Sequence, residues 1–497
     1  MLPETVTAVD LAACYRDGST SPVEIVRALV DRVAAVDGHV GAVLIVSQTA
    51  LADAADSERR IRDGRARSPL EGVPVLLKDN VDTVDLPTTA GSRLLLDSRP
   101  IHDAPLVTRL RAAGAVILGK TNLSEWSNFR SSEAVSGWSG VGGQTRNPHV
   151  LDRNPSGSSA GSGAAVAAGY APLAVGTETD GSILSPAAHC GVVGFKPSLG
   201  VVPGAGIVPI SAAQDTAGPM SRTVADAALL LAVLAGWPTD GSPAARPAGA
   251  LPVASAGGTL AFWRPVPVPA AEPAAGGGLA LDHFDGCLGR LSDAGFDLVE
   301  VAGPPSEELG EAEGTALLSE LARDLTAYLR ARPGAPGDLA ALIAGNEADP
   351  LELSVFGQER FHEALAAPPA DSAGPRAARE RARTLASGWL GSVLSSGPSA
   401  GGRAPVAVLS PTCGPTLPIG HDNEVGGFAS YSAAAVAGAC SVTVPVGTVG
   451  RSGALPVGIA LVGPPGGDAA LLAVAAVVEA AVGHVVPPRY LPTLLAD

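Results

Sequence analysis

Lysine is rare in this 497-residue sequence: only three of the 33 lysine and arginine residues are lysines. Acidic residues exceed basic ones, which gives a net charge of −16 and an isoelectric point near 4.9. Such a chain repels a polyphosphate backbone, and no basic run contains interleaved aromatic residues. The composition therefore argues against a nucleic acid as a partner.

Cysteine and histidine are also few and carry no recognisable pattern. Five cysteines are scattered along the chain without a CxxC spacing, which predicts free and mostly buried thiols. Eight histidines form no HxxxH or HxH cluster. We therefore predict no metal site and no cofactor.

The sequence has no segment typical of export or of membrane insertion. The amino terminus lacks a basic stretch followed by an apolar one, so no secretory signal is predicted. The most apolar late segment, from Asp468, contains Glu479 and is typical of an amphipathic surface helix. We expect a soluble, cytoplasmic protein without a membrane partner.

What the sequence does contain is an alternation of short apolar runs and helical stretches. Hydrophobic residues make up 46% of the chain, enough for a sizeable core. The runs VPVLL and AVIL are bounded by glycine or proline and flank the helix-like stretch DAPLVTRLRAAGA. Ser21 is placed to cap a helix that begins SPVEIVRALV. The pattern predicts an α/β fold, with helices covering both faces of a central sheet.

Two familiar motifs occur outside the context that their chemistry requires. Residues 114–121, GAVILGKT, satisfy the P-loop pattern, but the residues between the glycines themselves form an apolar strand. Residues 157–161, GSSAG, satisfy the nucleophile-elbow pattern centred on Ser159, but the preceding segment is polar and contains proline. Nucleotide binding and a Ser-His-Asp hydrolase are therefore both disfavoured.

A serine-rich helix, strand and loop form a more coherent group. A small-residue helix follows GSSAGS, the strand PLAV follows the helix, and the loop GTETDGSI comes next. Because the helix and the strand cover similar distances in opposite directions, Ser158 and Ser182 should lie close together. The TDGS loop can direct several backbone N–H groups to one side, as acyl transfer requires. Lys78, at the end of an apolar strand, could be a neutral base for a serine.

Six segments taken together resemble the amidase signature family. They are GVPVLLKDN (72–80), LGKTNLSEW (118–126), GQTRNP (143–148), PSGSSAGSGAAVAAG (155–169), GTETDGSILSPAAHCGVVGFKPSLG (176–200) and QDTAGPMSRTVADAA (214–228). The amino-acid sequences of these motifs are most similar to those of the bacterial peptide amidase subgroup. The resemblance implies the amidase signature fold, a twisted, mostly parallel or mixed sheet between helical layers.

The resemblance also implies a catalytic triad. Ser182 would be the nucleophile, Ser158 the bridging serine after a cis peptide bond from Gly157, and Lys78 the base. The backbone N–H groups of four consecutive residues would form the oxyanion hole: Thr179, Asp180, Gly181 and Ser182. Trp126 aligns near the acyl pocket of relatives, and a buried core position is the equally weighted alternative for this side chain.

Other residues in these motifs are interpreted as structural. We expect Lys120 and Lys196 to pair with carbonyls or carboxylates inside the sheet. His189 and Cys190 are interpreted as packing residues. Leu184 stands where some relatives carry an arginine, which disfavours a small anionic substrate.

The resemblance implies one amidase domain over residues 1–497. Residues 1–70 would form amino-terminal helices, 71–237 the catalytic core, 238–405 a variable helical insertion over the substrate channel, and 406–497 the rest of the sheet and a final helix. The enzyme, a monomer or homodimer, would hydrolyse a carboxamide, with a carboxy-terminal peptide amide or an amino-acid amide favoured, to a carboxylate and ammonia. Three alternatives remain: the glutaminase subunit of a tRNA-dependent amidotransferase, a biosynthetic acyl-transfer enzyme, and a binding protein on the same scaffold.

Overall fold

Thirteen β-strands are present in the computed structural model, which describes residues 5–239, 258–265, 277–395, 403–421, 430–450 and 453–494. In chain order they are β1 (Val43–Val46), β2 (Pro74–Lys78), β3 (Val116–Thr121), β4 (Trp138–Ser139), β5 (Gly143–Gln144), β6 (Leu173–Glu178), β7 (Val193–Lys196), β8 (Thr216–Ser221), β9 (Gly258–Phe262), β10 (Phe296–Glu300), β11 (Ala407–Pro411), β12 (Ser441–Val449) and β13 (Leu455–Val462). The short strands β4 and β5 pair with each other, and the other eleven form one sheet.

The large sheet is mixed, with the order β1-β3-β2-β6-β8-β7-β12-β13-β11-β9-β10. Strand β2 runs parallel to both of its neighbours, β3 and β6. The register pairs Lys78 with Thr121 and Leu77 with Val175, so the carboxyl end of β2 lies deep inside the sheet. The predicted fold class, an α/β fold with helices around a mixed central sheet, is confirmed.

Helices surround this sheet. They are α1 (Ala8–Asp17), α2 (Pro22–Val40), α3 (Ala50–Arg62), α4 (Pro105–Ala113), α5 (Ala160–Ala167), α6 (Leu184–Cys190), α7 (Val224–Ala235), α8 (Gly277–Asp293), α9 (Ser306–Arg330), α10 (Leu339–Ala348), α11 (Glu359–Ala366), α12 (Ala373–Ser395), α13 (Ser432–Val436) and α14 (Asp468–Val482). None of the helices in the described ranges has the length and hydropathy needed to cross a bilayer.

Local sequence signals explain where many of these elements begin and end. Helix α2 starts with a capping box, in which Ser21 accepts from the Glu24 amide and the Glu24 carboxylate accepts from the Ser21 amide. It ends at Gly41, whose positive φ suits the left-handed turn. Every residue of β2 and β3 is buried, as expected for continuous apolar runs inside an α/β fold.

The segment 238–405 differs in part from the predicted helical insertion. Helices α8 to α12 lie in it, but so do β9 and β10, which extend the sheet beyond β11. Short apolar runs such as GTLAF are hard to separate from the surrounding Ala, Gly and Pro without knowledge of their pairing partners. Residues 240–257, 266–276 and 396–402 of this segment lie outside the described residues.

Candidate active site

Lys78 is the last residue of strand β2, and its side chain is completely buried. Its Nζ lies 2.7 Å from Oγ of Ser158, 2.9 Å from Oγ1 of Thr177 and 3.3 Å from the Thr177 carbonyl oxygen. Burial lowers the pKa of the Lys78 ammonium from 10.5 to about 7, although the charges of Asp215 and Glu178 oppose the shift. Near neutral pH, this amine can therefore be a proton acceptor.

Ser158 lies at the start of the loop that leads into α5. The peptide bond between Gly157 and Ser158 is cis, as the resemblance implied. The Ser158 carbonyl accepts from the Ser124 amide at 3.1 Å, which fixes the backbone on the side of the 124–128 turn. The next amide, of Ser159, donates to the Ser182 carbonyl at 3.1 Å, so the two serine loops are in contact.

Ser159, the centre of the nucleophile-elbow motif, is fully engaged by strand β6. Its hydroxyl donates to the Thr177 carbonyl at 3.0 Å and accepts from the Thr177 amide at 3.1 Å. The side chain is completely buried. Ser159 therefore connects the amino-terminal end of α5 to β6. This structural role agrees with the prediction that Ser159 is not the nucleophile of a Ser-His-Asp hydrolase.

The loop that carries Ser182 follows β6 directly. This strand extends through Glu178, three residues beyond the predicted PLAV run, because GTE pairs with the antiparallel strand β8. The buried Glu178 carboxylate then accepts from the amides of Ile183 and Leu184 at 2.7 and 3.0 Å. It satisfies N–H groups at the start of α6 and holds the intervening turn in shape. Burial raises the pKa of Glu178.

The side chains of Gln214 and Asp215 form hydrogen bonds with Thr179, at the start of the Ser182 loop. The Thr179 hydroxyl donates to Asp215 at 2.6 Å, and the Gln214 amide donates to the Thr179 carbonyl at 2.8 Å. Burial raises the pKa of Asp215 to about 7. Both residues belong to the QDTAGPM motif, which the sequence identified without assigning a role to either side chain. Thr177, which contacts Lys78, lies in the GTETDGS motif and was likewise not singled out.

The four predicted oxyanion-hole residues form this same turn. Gly181 has φ +77°, and an added Cβ would lie 2.2 Å from the ring of Tyr431, so only glycine fits. Within the described residues, no hydrogen bond occupies the backbone N–H groups of Asp180 and Ser182. Both donors therefore have no partner in the described part of the chain, as the predicted role requires.

A cavity of about 380 Å³ opens onto this loop. Its lining combines the two serine loops, the 127–129 segment and one face of α9: Ser127, Asn128, Phe129, Ser136, Ser156, Gly157, Thr179, Asp180, Ser182, Ser185, Ile210, Gly310, Glu313, Gly314, Leu317 and Tyr431. Ser182 therefore faces a space that can hold a substrate. In the described part of the chain, no cluster of three or more His, Cys, Asp or Glu side chains is arranged to hold a metal ion.

Comparisons with known proteins decide the family. The family model described as Amidase matches residues 24–472. The chain belongs to the amidase signature family. A solved structure of a native peptide amidase from Stenotrophomonas maltophilia matches with a TM-score of 0.87 and 39% identity, over 98% of this chain and 99% of that one.

Further relatives of this amidase include proteins with different names. The A subunit of the glutamyl-tRNA(Gln) amidotransferase of Acidothermus cellulolyticus is 36% identical over 96% of this chain and 94% of its own length. An amidase family protein from Bacillus anthracis is 28% identical, with a TM-score of 0.83 over 98% of this chain and 92% of that one. The family match and the peptide amidase structure together identify an amide-hydrolysing enzyme.

Trp126 is not part of the cavity lining of this amidase. Its side chain is buried against Phe361 with a ring-centroid distance of 5.9 Å, in a cluster that includes Leu95. Trp126, Ser127 and Asn128 all have positive φ values, which turn the chain sharply. The turn directs Trp126 into the core, one of the two positions that the sequence left open, and leaves residues 127–129 along the cavity.

Lys120 and Lys196 have the structural environments predicted for them. Nζ of Lys120 lies 3.2 Å from the Asp79 carboxylate and donates to the carbonyls of Val81 and Pro87 at 2.8 and 2.9 Å. Lys196 donates to the carbonyls of Pro197, at 3.1 Å, and Ala439. Lys120 lies within strand β3, one residue before its end.

Proposed function

We propose that this amidase is a serine hydrolase that converts a carboxamide, favoured to be a peptide amide or an amino-acid amide, to a carboxylate and ammonia. Ser182 would be the nucleophile, Ser158 the bridging serine and Lys78 the base. The observation that carries the proposal is the contact between the fully buried Lys78 amine and Ser158, at 2.7 Å, beside the Ser182 loop. An amine in that environment is a base near neutral pH.

Thr177 orients the lone pair of the base in this proposal. A neutral amine has two N–H donors and one lone pair. Its two donors are directed to the hydroxyl and carbonyl oxygens of Thr177, at 2.9 and 3.3 Å. The lone pair is then left for the Ser158 hydroxyl proton. Ser158 gives its own hydroxyl proton to Lys78 and takes up the proton of Ser182, so two protons each move one step and the net result is transfer from Ser182 to Lys78.

The first half of the reaction forms an acyl-enzyme. Oγ of Ser182 attacks the amide carbonyl carbon as its proton passes through Ser158 to Lys78. The carbonyl oxygen becomes an oxyanion, bound by backbone N–H groups of residues 179–182. The C–N bond then breaks, the proton returns along the same relay to the departing nitrogen, and ammonia leaves.

The second half of the reaction releases the acid. Water attacks the Ser182 ester and loses a proton to the same relay, and the proton then returns to Oγ of Ser182 as the ester C–O bond breaks. The products are the carboxylic acid, which ionises at neutral pH, and the regenerated triad. An amine acceptor in place of water would give the acyl-transfer reaction, which uses the same residues.

The favoured substrate class is supported by the peptide amidase likeness over nearly the whole chain. The similarity to amidotransferase A subunits supports a second candidate, a glutaminase that works within a complex. Leu184, buried behind the Ser182 loop, supplies no cation for the carboxylate of glutamine.

The test is ammonia release from peptide amides, aryl amides, short aliphatic amides and glutamine. The wild type should hydrolyse peptide amides, and Ser182→Ala, Ser158→Ala and Lys78→Ala should each lose the activity. Lys120→Arg, which alters a buried lysine outside the relay, is the matched control. Turnover that survives Ser182→Ala would refute the mechanism, and glutamine turnover only with added partner subunits would favour the second candidate.

A further inference from the structure

One face of helix α9 forms a wall of the substrate cavity. Gly310, Glu313, Gly314 and Leu317 all line it, and their spacing of three and four residues places them on one side of the helix. This helix lies more than a hundred residues after the serine loops in the chain. No motif of the sequence pointed to it.

The two glycines keep space open in front of this wall. No heavy atom lies within 4 Å of a Cβ added at Gly310 or at Gly314. Glycine destabilises the interior of a helix relative to alanine. At Gly310 and Gly314 no close backbone contact requires the absence of a side chain. Phe129, Ile210 and Leu317 border the same space with apolar surface. The opening therefore suits an extended aliphatic group.

In the described lining of the cavity, the charged groups are all carboxylates. Glu313 and Asp180 line the cavity, and its described lining contains no Lys, Arg or His. The nearby Arg379 is bonded to Glu320 and to Gln214, with Nε 2.9 Å from Glu320, and does not line the cavity.

Asp180 is the less satisfied of the two carboxylates. Its Oδ1 is buried and has no hydrogen-bond partner in the described residues. Glu313, by contrast, accepts from the Gln214 amide at 2.5 Å. Burial, with the neighbouring Glu313 charge, raises the pKa of Asp180 well above its ordinary value. A cation brought into the cavity would relieve this repulsion and supply the missing donor.

We propose that the α9 wall selects amides whose acyl part carries a cationic side chain, as in the carboxamides of lysine or arginine. The aliphatic stem would lie over Gly310 and Gly314, and the ammonium or guanidinium would bind Glu313 and Asp180. This inference rests on the proposed function for its reaction, but the binding preference can be measured without turnover.

The binding test uses the Ser182→Ala protein and calorimetric titration. N-acetyl-lysinamide and N-acetyl-norleucinamide have similar stems and differ mainly in the charged end. The lysine compound should bind at least about tenfold more tightly, as a charged hydrogen bond inside a cavity predicts. Adding Glu313→Gln should bring the ratio close to one, whereas Glu311→Gln, on the exposed side of α9, should preserve it.

The turnover test asks whether the open space is used. Gly314→Leu should lower kcat/KM for N-acetyl-lysinamide at least about tenfold more than for acetamide, because leucine fills the space over the wall. Gly388→Leu, at an exposed glycine of α12 with nothing within 4 Å, is the matched control and should leave both values unchanged.

The outcomes separate this inference from the proposed function. Equal binding of the two amides, or a preference that persists in Glu313→Gln, would overturn the cation site even if amides are hydrolysed. Selective binding that Glu313→Gln removes would support the site even if the wild type released no ammonia, a result that would overturn the proposed function alone.

Discussion

Replacing Lys78 by methionine should abolish amide hydrolysis and make the protein more stable. The reason is that the fold buries an amine without a carboxylate in contact with it. The pKa of Lys78 falls from 10.5 to about 7, which corresponds to a cost of about 5 kcal/mol for keeping the charged form buried. Methionine has a similar length and carries no charge.

The sign of the effect depends on pH. Below pH 7 the amine is protonated in both the folded and the unfolded chain, so the full cost is present. Between pH 7 and 10.5 the unfolded chain binds more protons than the folded one, so wild-type stability rises with pH. Methionine also forfeits the contacts with Ser158 and Thr177, a loss of about 1 to 3 kcal/mol. Lys78→Met should therefore be more stable by about 2 to 4 kcal/mol at pH 6.

Urea denaturation followed by circular dichroism measures this difference. By pH 9 the wild type should have regained about 3 kcal/mol relative to Lys78→Met, since the variant has no amine to titrate. Lys120→Met is the matched control, because that lysine is also buried but lies 3.2 Å from Asp79. Its loss leaves a buried carboxylate unpaired and should destabilise the protein by about 3 to 5 kcal/mol. A Lys78→Met difference that is the same at pH 6 and pH 9 would refute a depressed pKa.

Three further outcomes are expected. For an uncharged amide, kcat/KM should rise through an apparent pKa near 7, because only neutral Lys78 accepts a proton; a flat profile from pH 6 to 8 would contradict this. Gly181→Ala should lower kcat about a hundredfold or more, while circular dichroism should show the fold retained. The added Cβ would meet the Tyr431 ring and displace the turn of residues 179–182, which carries the proposed oxyanion-hole donors. A wild-type kcat in this variant would argue against that role of the turn. Arg130→Met should lower the free energy of unfolding by about 3 to 5 kcal/mol in urea, because it leaves the buried Glu125 carboxylate without its cation; an unchanged value would mean that Glu125 is already neutral.

Much of the layout of the candidate site could be predicted from the sequence because its signals are local. The apolar run before Lys78 indicated a strand, and a small-residue helix followed by a short strand placed Ser158 near Ser182. The contact between the Ser159 amide and the Ser182 carbonyl agrees with that geometry. The helix cap at Ser21 could also be predicted, because a capping box spans only four residues.

Local sequence patterns were less informative where several segments meet. For Trp126 the motif left both a pocket position and a core position open, and a turn of three positive-φ residues directs the side chain into the core. Strands β9 and β10 were hidden in an Ala- and Gly-rich segment because a strand of five residues is defined by its partners as much as by its composition.

The sequence by itself determined the family, the order of elements around the serine loops and the identity of the residues proposed for the relay. Only the tertiary structure decided the environment in which they work. Burial of Lys78 lowers its pKa, a property of the surrounding atoms and not of the β2 segment. Likewise, Glu313 and its two glycine neighbours reach the cavity only because α9 packs across it, a contact between residues more than a hundred positions apart.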